Sequence, residues 1–154
     1  MTSISVGRKV RDFAIPTTAG NFRLSEQRGR NVVIYFYPRD NTPGCTLEGS
    51  DFRDLASAFS RARTTILGIS TDTLESHRKF REKMRFPFEL GSDEDHAVAS
   101  RFSAWKQKNM YGRKMMGVER STFLIDAEGI LRQEWRKVRV TGHAAQVLAA
   151  VREL

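Results

Sequence analysis

The only cysteine of the sequence, Cys45, follows the turn-forming stretch Pro38-Arg-Asp-Asn-Thr42-Pro43-Gly44 and precedes a run whose apolar residues recur at helical spacing. Pro38, Thr42 and Cys45 therefore form a Pro-x-x-x-Thr-x-x-Cys pattern between a strand-like run and a helix start. A helix N-terminus offers unpaired backbone N–H groups and a partial positive charge, and both favour a thiolate over a thiol. The thiolate is the nucleophile, so Cys45 is the candidate catalytic residue. The hydroxyl of Thr42 can donate to the sulfur or to an oxygen of a bound substrate while its lone pairs accept another donor. Pro38 fixes the exit from the strand and shields the sulfur from water. Taken singly, Thr42 reads equally well as a turn or N-cap residue, and the prolines as chain punctuation.

The elements that must position this loop follow from periodicity. Asn31 to Tyr37 is a β-branched and aromatic run, the pattern of a strand buried on both faces, and Leu47, Phe52, Leu55, Ala56 and Phe59 predict one helix from about Cys45 to Ser60. Thr64 to Ser70 predicts a second buried strand, and Asp72 with Glu75 predicts a capped helix running to about Met84. After Pro87 comes a short extended segment, then a helix from a Ser92 and Asp95 start to about Phe102, then a loop from Ser103 to Val118. Glu119 to Ile125 and Ile130 to Trp135 form an antiparallel hairpin around Asp126-Ala-Glu-Gly129, and a last helix after Gly142 turns Ala145, Leu148, Ala149 and Val151 inward. Phe13, Ile15, Phe22 and Leu24 outline a small extra hairpin before the core. Parallel strands joined through helices, closed by an antiparallel hairpin, give an α/β sandwich of the thioredoxin kind, a mixed central sheet flanked by helices. No linker or repeat interrupts the pattern, so residues 1–154 are expected to form one domain.

Composition narrows the function. One cysteine forbids an internal disulfide and suits a reducing, cytoplasmic setting; no segment reads as a signal peptide or a membrane span. A thiol-disulfide oxidoreductase is disfavoured, because Thr42 stands where a Cys-x-x-Cys partner would be. His77, His96 and His143 are scattered and predict no metal site, and no glycine-rich phosphate loop predicts a nucleotide cofactor. His77 reads as a half-buried structural residue and His96 as a first-turn helix residue. The net charge of +8 raises nucleic-acid binding or a basic holdase module as the alternative. Because the cations are interleaved with acids, a solvated basic surface is preferred and nucleic acid disfavoured. Trp105, Met110, Tyr111, Met115 and Met116 read as a groove near the thiol, or as loop packing.

The run Tyr35-Phe-Tyr-Pro-Arg-Asp-Asn-Thr-Pro-Gly-Cys-Thr-Leu-Glu48, followed by Asp51-Phe-Arg-Asp54, closely resembles the peroxiredoxin Q, or bacterioferritin comigratory protein, subfamily of the peroxiredoxins. Leu67 to Ser70, Ser92 to His96, Asn109 to Gly112 and Glu119 to Asp126 are also similar to it, so the resemblance runs from about Val10 to the C-terminus. It implies a thioredoxin-like fold, an antioxidant role in redox homeostasis, and thiol-dependent reduction of hydrogen peroxide or organic hydroperoxides through a Cys45 sulfenic acid. Pro38, Thr42 and Arg120 match the other active-site positions. The guanidinium of Arg120 would favour the thiolate and could bind the peroxide oxygens.

Many members carry a resolving cysteine five residues after the first, and others carry one in the following helix. Here those positions hold Ser50 and residues around Arg81. Ser50 fits either a natural one-cysteine form or a Cys-to-Ser replacement; Gly49, where alanine commonly precedes the resolving cysteine, leans to the natural form. The reductant is then an external thiol, such as thioredoxin, glutathione with glutaredoxin, or another small thiol.

Overall fold

The computed structural model describes residues 4–154. In chain order its elements are β1 (Ala14–Thr17), β2 (Gly20–Arg23), β3 (Asn31–Phe36), α1 (Pro43–Asp54), α2 (Ala56–Arg61), β4 (Thr64–Ser70), α3 (Leu74–Met84), β5 (Glu89–Ser92), α4 (Ala97–Arg101), β6 (Trp105–Met110), β7 (Arg113–Val118), β8 (Ser121–Ile125), β9 (Leu131–Trp135) and α5 (His143–Arg152). Seven strands form one sheet in the order β2-β1-β5-β4-β3-β8-β9, and β6 pairs with β7 apart from it. β3, β4 and β5 are parallel, whereas β8 is antiparallel to β3 and β9 to β8. This is the expected mixed thioredoxin-like sandwich.

β3 shows why its sequence is an unbroken apolar run. Val32, Ile34 and Phe36 enter the layer shared with Phe13, Val98 and Phe102, while Val33 and Tyr35, with Tyr37 beyond the strand, enter the layer of Phe52, Phe59, Phe80 and Val147. Strand side chains alternate between faces, so a strand covered on both sides has few polar positions. α1, α2, α3 and α5 supply the second layer and the short α4 the first.

Several expectations are corrected. The helix after Cys45 breaks at Leu55, whose N–H turns to the Phe52 carbonyl at 3.2 Å. α3 is capped by Thr73, whose hydroxyl accepts from Ser76 N–H at 3.1 Å, because the Asp72 carboxylate is engaged by Ser70 and Asp40. Ser92 closes β5, and α4 begins only at Ala97; there the Asp93 carboxylate accepts from the N–H groups of Val98 and Ala99. α5 buries Val147, Leu148 and Val151, while Ala145 and Ala149 face out. The first hairpin is joined to the sheet edge through Thr17 opposite Gly91.

The stretch from Ser103 to Val118 is the hairpin β6–β7 rather than a loop. Tyr111 and Gly112 both have positive φ, 53° and 76°, the signature of a tight two-residue hairpin turn. Most of its residues are solvent-exposed, so the apolar alternation that reveals a half-buried strand is missing.

Candidate active site

β3 delivers the chain to the site. Tyr37 N–H still donates to the Ile69 carbonyl at 3.0 Å, and Pro38, half-buried and without an N–H, follows where the ladder ends. Asp40 then fastens the loop. Its carboxylate accepts from Tyr37 Oη at 2.6 Å and Ser76 Oγ at 2.8 Å, and lies 2.8 Å from His77 Nδ1. The backbone N–H of Asp40 donates to Asp72 Oδ2 at 2.8 Å, and His77 Nε2 lies 2.8 Å from the Gly91 carbonyl. His77 is thus fully buried, not half-buried, and ties the loop to α3 and β5. Ligand atoms of Asp40, Asp72 and His77 cluster within 4.8 Å, but hydroxyl and imidazole partners already engage both Asp40 oxygens. The cluster reads as a loop anchor.

Asn41 turns the chain through a left-handed conformation, φ 66°, which Asn tolerates better than most residues. Thr42 is the N-cap and Pro43 the first helical residue, where a fixed φ and a missing N–H do no harm. Cys45 is therefore the third residue of α1, in its first turn as expected, and only 2% exposed. The Thr42 hydroxyl donates to the Arg39 carbonyl at 2.9 Å and does not cap the helix. In this geometry its proton is engaged by Arg39.

Arg120, between β7 and β8, reaches across to the thiol. Its Nη2 donates to Cys45 Sγ at 3.3 Å and its Nη1 to Glu48 Oε1 at 2.5 Å. Glu48 stands three residues after Cys45, on the same helix face, and is 1% exposed. Burial pushes its carboxyl up to about 7 against the opposing pull of Arg120. Arg120 responds in the other sense: burial lowers its affinity for a proton, but Glu48 and Cys45 together raise it. Among the described residues Glu48 Oε2 has no hydrogen-bond partner. Gly44 leaves room for the guanidinium, since a Cβ there would stand 3.1 Å from Nη2.

Behind this group His143, buried in α5, is pushed down to about 4 by burial and then by Arg120, so its ring is neutral at pH 7 beside Thr122 Oγ1 at 2.7 Å. Ser50 donates to the Thr46 carbonyl at 2.7 Å, within the helix. Trp105 stacks on His96 at 4.1 Å, and His96 is the N-cap of α4 rather than a first-turn residue. Met110, Tyr111, Met115 and Met116 are exposed on the hairpin.

The sequence reading did not single out Glu48 or Asp40. The available signals were an acid three residues from the cysteine on an otherwise part-buried helix face, and an Asp inside the loop motif.

A cysteine at a helix N-terminus above a mixed thioredoxin-like sheet, addressed by an arginine from the link just before a neighbouring strand, defines a thiol-dependent peroxidase. The chain belongs to the AhpC/TSA family, whose profile matches residues 6–134, and within it to the peroxiredoxin Q, or Bcp, group. It is similar to peroxiredoxin Bcp of Bacillus subtilis (strain 168), with 44% identity over 99% of this chain and 98% of the relative. It is also similar to peroxiredoxin Bcp of Xanthomonas campestris pv. campestris, 51% identical over 84% of this chain and 81% of that one. A solved structure of Xanthomonas campestris bacterioferritin comigratory protein, studied for alkyl peroxide reduction, superposes with a TM-score of 0.88 at 46% identity, covering 92% of this chain and 90% of that one. Membership of this family supports a thiol-dependent peroxidase. Among the described residues no helix is long and apolar enough to cross a membrane.

Proposed function

We propose that Cys45 is the peroxidatic residue and that the protein reduces hydrogen peroxide and organic hydroperoxides by a one-cysteine cycle. The thiolate attacks one oxygen of R–O–O–H, the O–O bond breaks, and a proton completes ROH, leaving Cys45–SOH. The observation that carries this reading is the 3.3 Å hydrogen bond from Arg120 to the sulfur. A charged donor favours the thiolate before attack and can follow the negative charge onto the departing oxygen. Thr42 needs only to rotate its hydroxyl from Arg39 to serve the peroxide, and Pro38 keeps water from the sulfur. The alkyl peroxide chemistry studied in the Xanthomonas campestris relative supports the organic substrates.

With no second cysteine in the chain, an external thiol attacks the sulfenic acid, releasing water and forming a mixed disulfide. Thioredoxin, or glutathione with glutaredoxin, is the proposed source, in the cytoplasm, and residues 1–154 act as one domain. Because Cys45 is 2% exposed, the first turn of α1 must open to admit that thiol.

The test is intact mass after one equivalent of hydrogen peroxide, with and without a sulfenic-acid trap, beside Cys45→Ser. A fast, trappable gain of one oxygen in the unaltered chain alone is expected. Oxidation no faster than that of an ordinary exposed thiol would refute the reading.

A further inference from the structure

Half of the formal net charge of +8 lies in one hairpin, since Ser103 to Val118 contains Lys106, Lys108, Arg113 and Lys114 and no Asp or Glu. The expectation that acids interleave the cations fails in this segment. The register sets Lys106 opposite Gly117, Lys108 opposite Met115 and Met110 opposite Arg113. Opposed residues share a face, so one face of β6–β7 carries three cations and two methionines. Met110 and Met115 are 47% and 52% exposed.

This face leads into the segment that carries Arg120, whose guanidinium donates to the thiol. Lys108 lies over Gly117, where an added Cβ would come within 3.5 Å of its Cδ. Burial and then Arg120 hold the Lys108 ammonium below its ordinary value, opposed by Glu119 and Cys45, so its charge is felt at the active site. Arg120 itself is two residues beyond the end of β7.

We propose that this face of the β6–β7 hairpin is the docking surface for an acidic dithiol protein that reduces the Cys45 sulfenic acid. The inference rests on the one-cysteine cycle proposed above. A chain with one cysteine must receive its second sulfur across an interface, and the surface beside Cys45 is what that partner covers. Cations without acids select a negatively charged rim and speed encounter. Exposed methionines add a soft apolar surface that moulds to the flat region around a reactive thiol. A nucleic acid would use the cations and leave the methionines without a role. One thiol of the partner displaces water from Cys45–SOH to form the mixed disulfide; its second thiol then attacks, returning the Cys45 thiol and leaving the partner as a disulfide.

The experiment forms the sulfenic acid in the full chain, verifies it by mass, and measures its reduction by a reduced thioredoxin of net negative charge and by uncharged dithiothreitol. The chains compared are the unaltered one, Lys106→Glu with Arg113→Glu, and the neutral pair Lys106→Gln with Arg113→Gln. The expected result is a thioredoxin rate that falls with salt and drops about tenfold on charge reversal, with the neutral pair between, the dithiothreitol rate staying constant. Equal thioredoxin rates in all three chains overturn the proposal, as does a parallel fall with dithiothreitol, or thioredoxin no faster than dithiothreitol. Loss of binding to a short DNA duplex with an unchanged thioredoxin rate assigns the face to nucleic acid instead. Failure of the unaltered chain to form any sulfenic acid is a separate result that overturns the peroxidatic reading itself, and this proposal with it.

Discussion

Arg120 and Glu48 meet at 2.5 Å in a pocket where the carboxylate is 1% exposed, and that pairing leaves the second guanidinium nitrogen free to face Cys45. The carboxylate fixes the plane of the guanidinium. The same carboxylate, when ionised, competes with the sulfur for its charge.

Replacing Arg120 with Lys keeps a positive charge but loses the fork that serves Glu48 and Cys45 together. The second-order rate of Cys45 oxidation by hydrogen peroxide is expected to fall about a hundredfold, in line with the removal of a preorganised donor. Stopped-flow kinetics checks this; a loss of less than about threefold would show that the guanidinium does not act on the reacting atoms.

Glu48 gives the reaction a pH signature. Its folded-state value of about 7 lies above the ordinary 4.5, so the folded protein holds a proton that the unfolded chain releases between those values. Stability from this group is present below about pH 4.5 and is lost as pH rises through about 7. Thermal melts are expected to drop across that window in the unaltered chain relative to Glu48→Gln. Above pH 7 the ionised carboxylate offsets Arg120, so the oxidation rate declines a few-fold, and this decline disappears in Glu48→Gln. Identical pH profiles for the two proteins would contradict this account.

Gly49 is required by packing and not by backbone freedom. A Cβ at this position would collide with Cζ of the Phe86 ring, which is itself buried. Gly49→Ala is expected to destabilise the fold by about 1–3 kcal/mol, the usual range for overpacking a filled core. Urea denaturation measures it. An unchanged midpoint would mean that the Phe86 ring shifts freely.

Ser50→Cys tests the mobility of α1. Five helical steps carry Ser50 about 7.5 Å along the axis from Cys45, beyond the roughly 7 Å separation of Cα atoms that a disulfide can span. Peroxide is nonetheless expected to yield an internal disulfide in the variant, seen as a product two hydrogens lighter, with faster amide exchange over Pro43 to Ser50. Stable sulfenic acid without a disulfide would show that the first turns of α1 stay wound.

The sequence alone determined the local chemistry. Pro38, Thr42 and Cys45 lie within eight residues, so strand end, turn and helix start follow from short-range rules, and the placement of Cys45 in the first turn of α1 is as expected. β3 and β4 were equally legible, because a strand covered on both faces is mostly apolar along its length and shows no regular polar alternation. Arg120 entered through family resemblance, since no local pattern joins it to a cysteine 75 residues away.

Tertiary structure decided the rest. Glu48 is an ordinary surface residue by sequence, and only the packing of α1 against the sheet buries it beside Arg120 and shifts its proton affinity. The facing of α5 differed from expectation because alanine is apolar enough for either side, and the larger Val147 took the core position. The β6–β7 hairpin was invisible as a strand pair because burial is what writes alternation into a sequence, and this hairpin is mostly exposed. Its concentration of charge was present in the composition all along. That the charge forms one face is a property of the strand register, which local sequence rules do not encode.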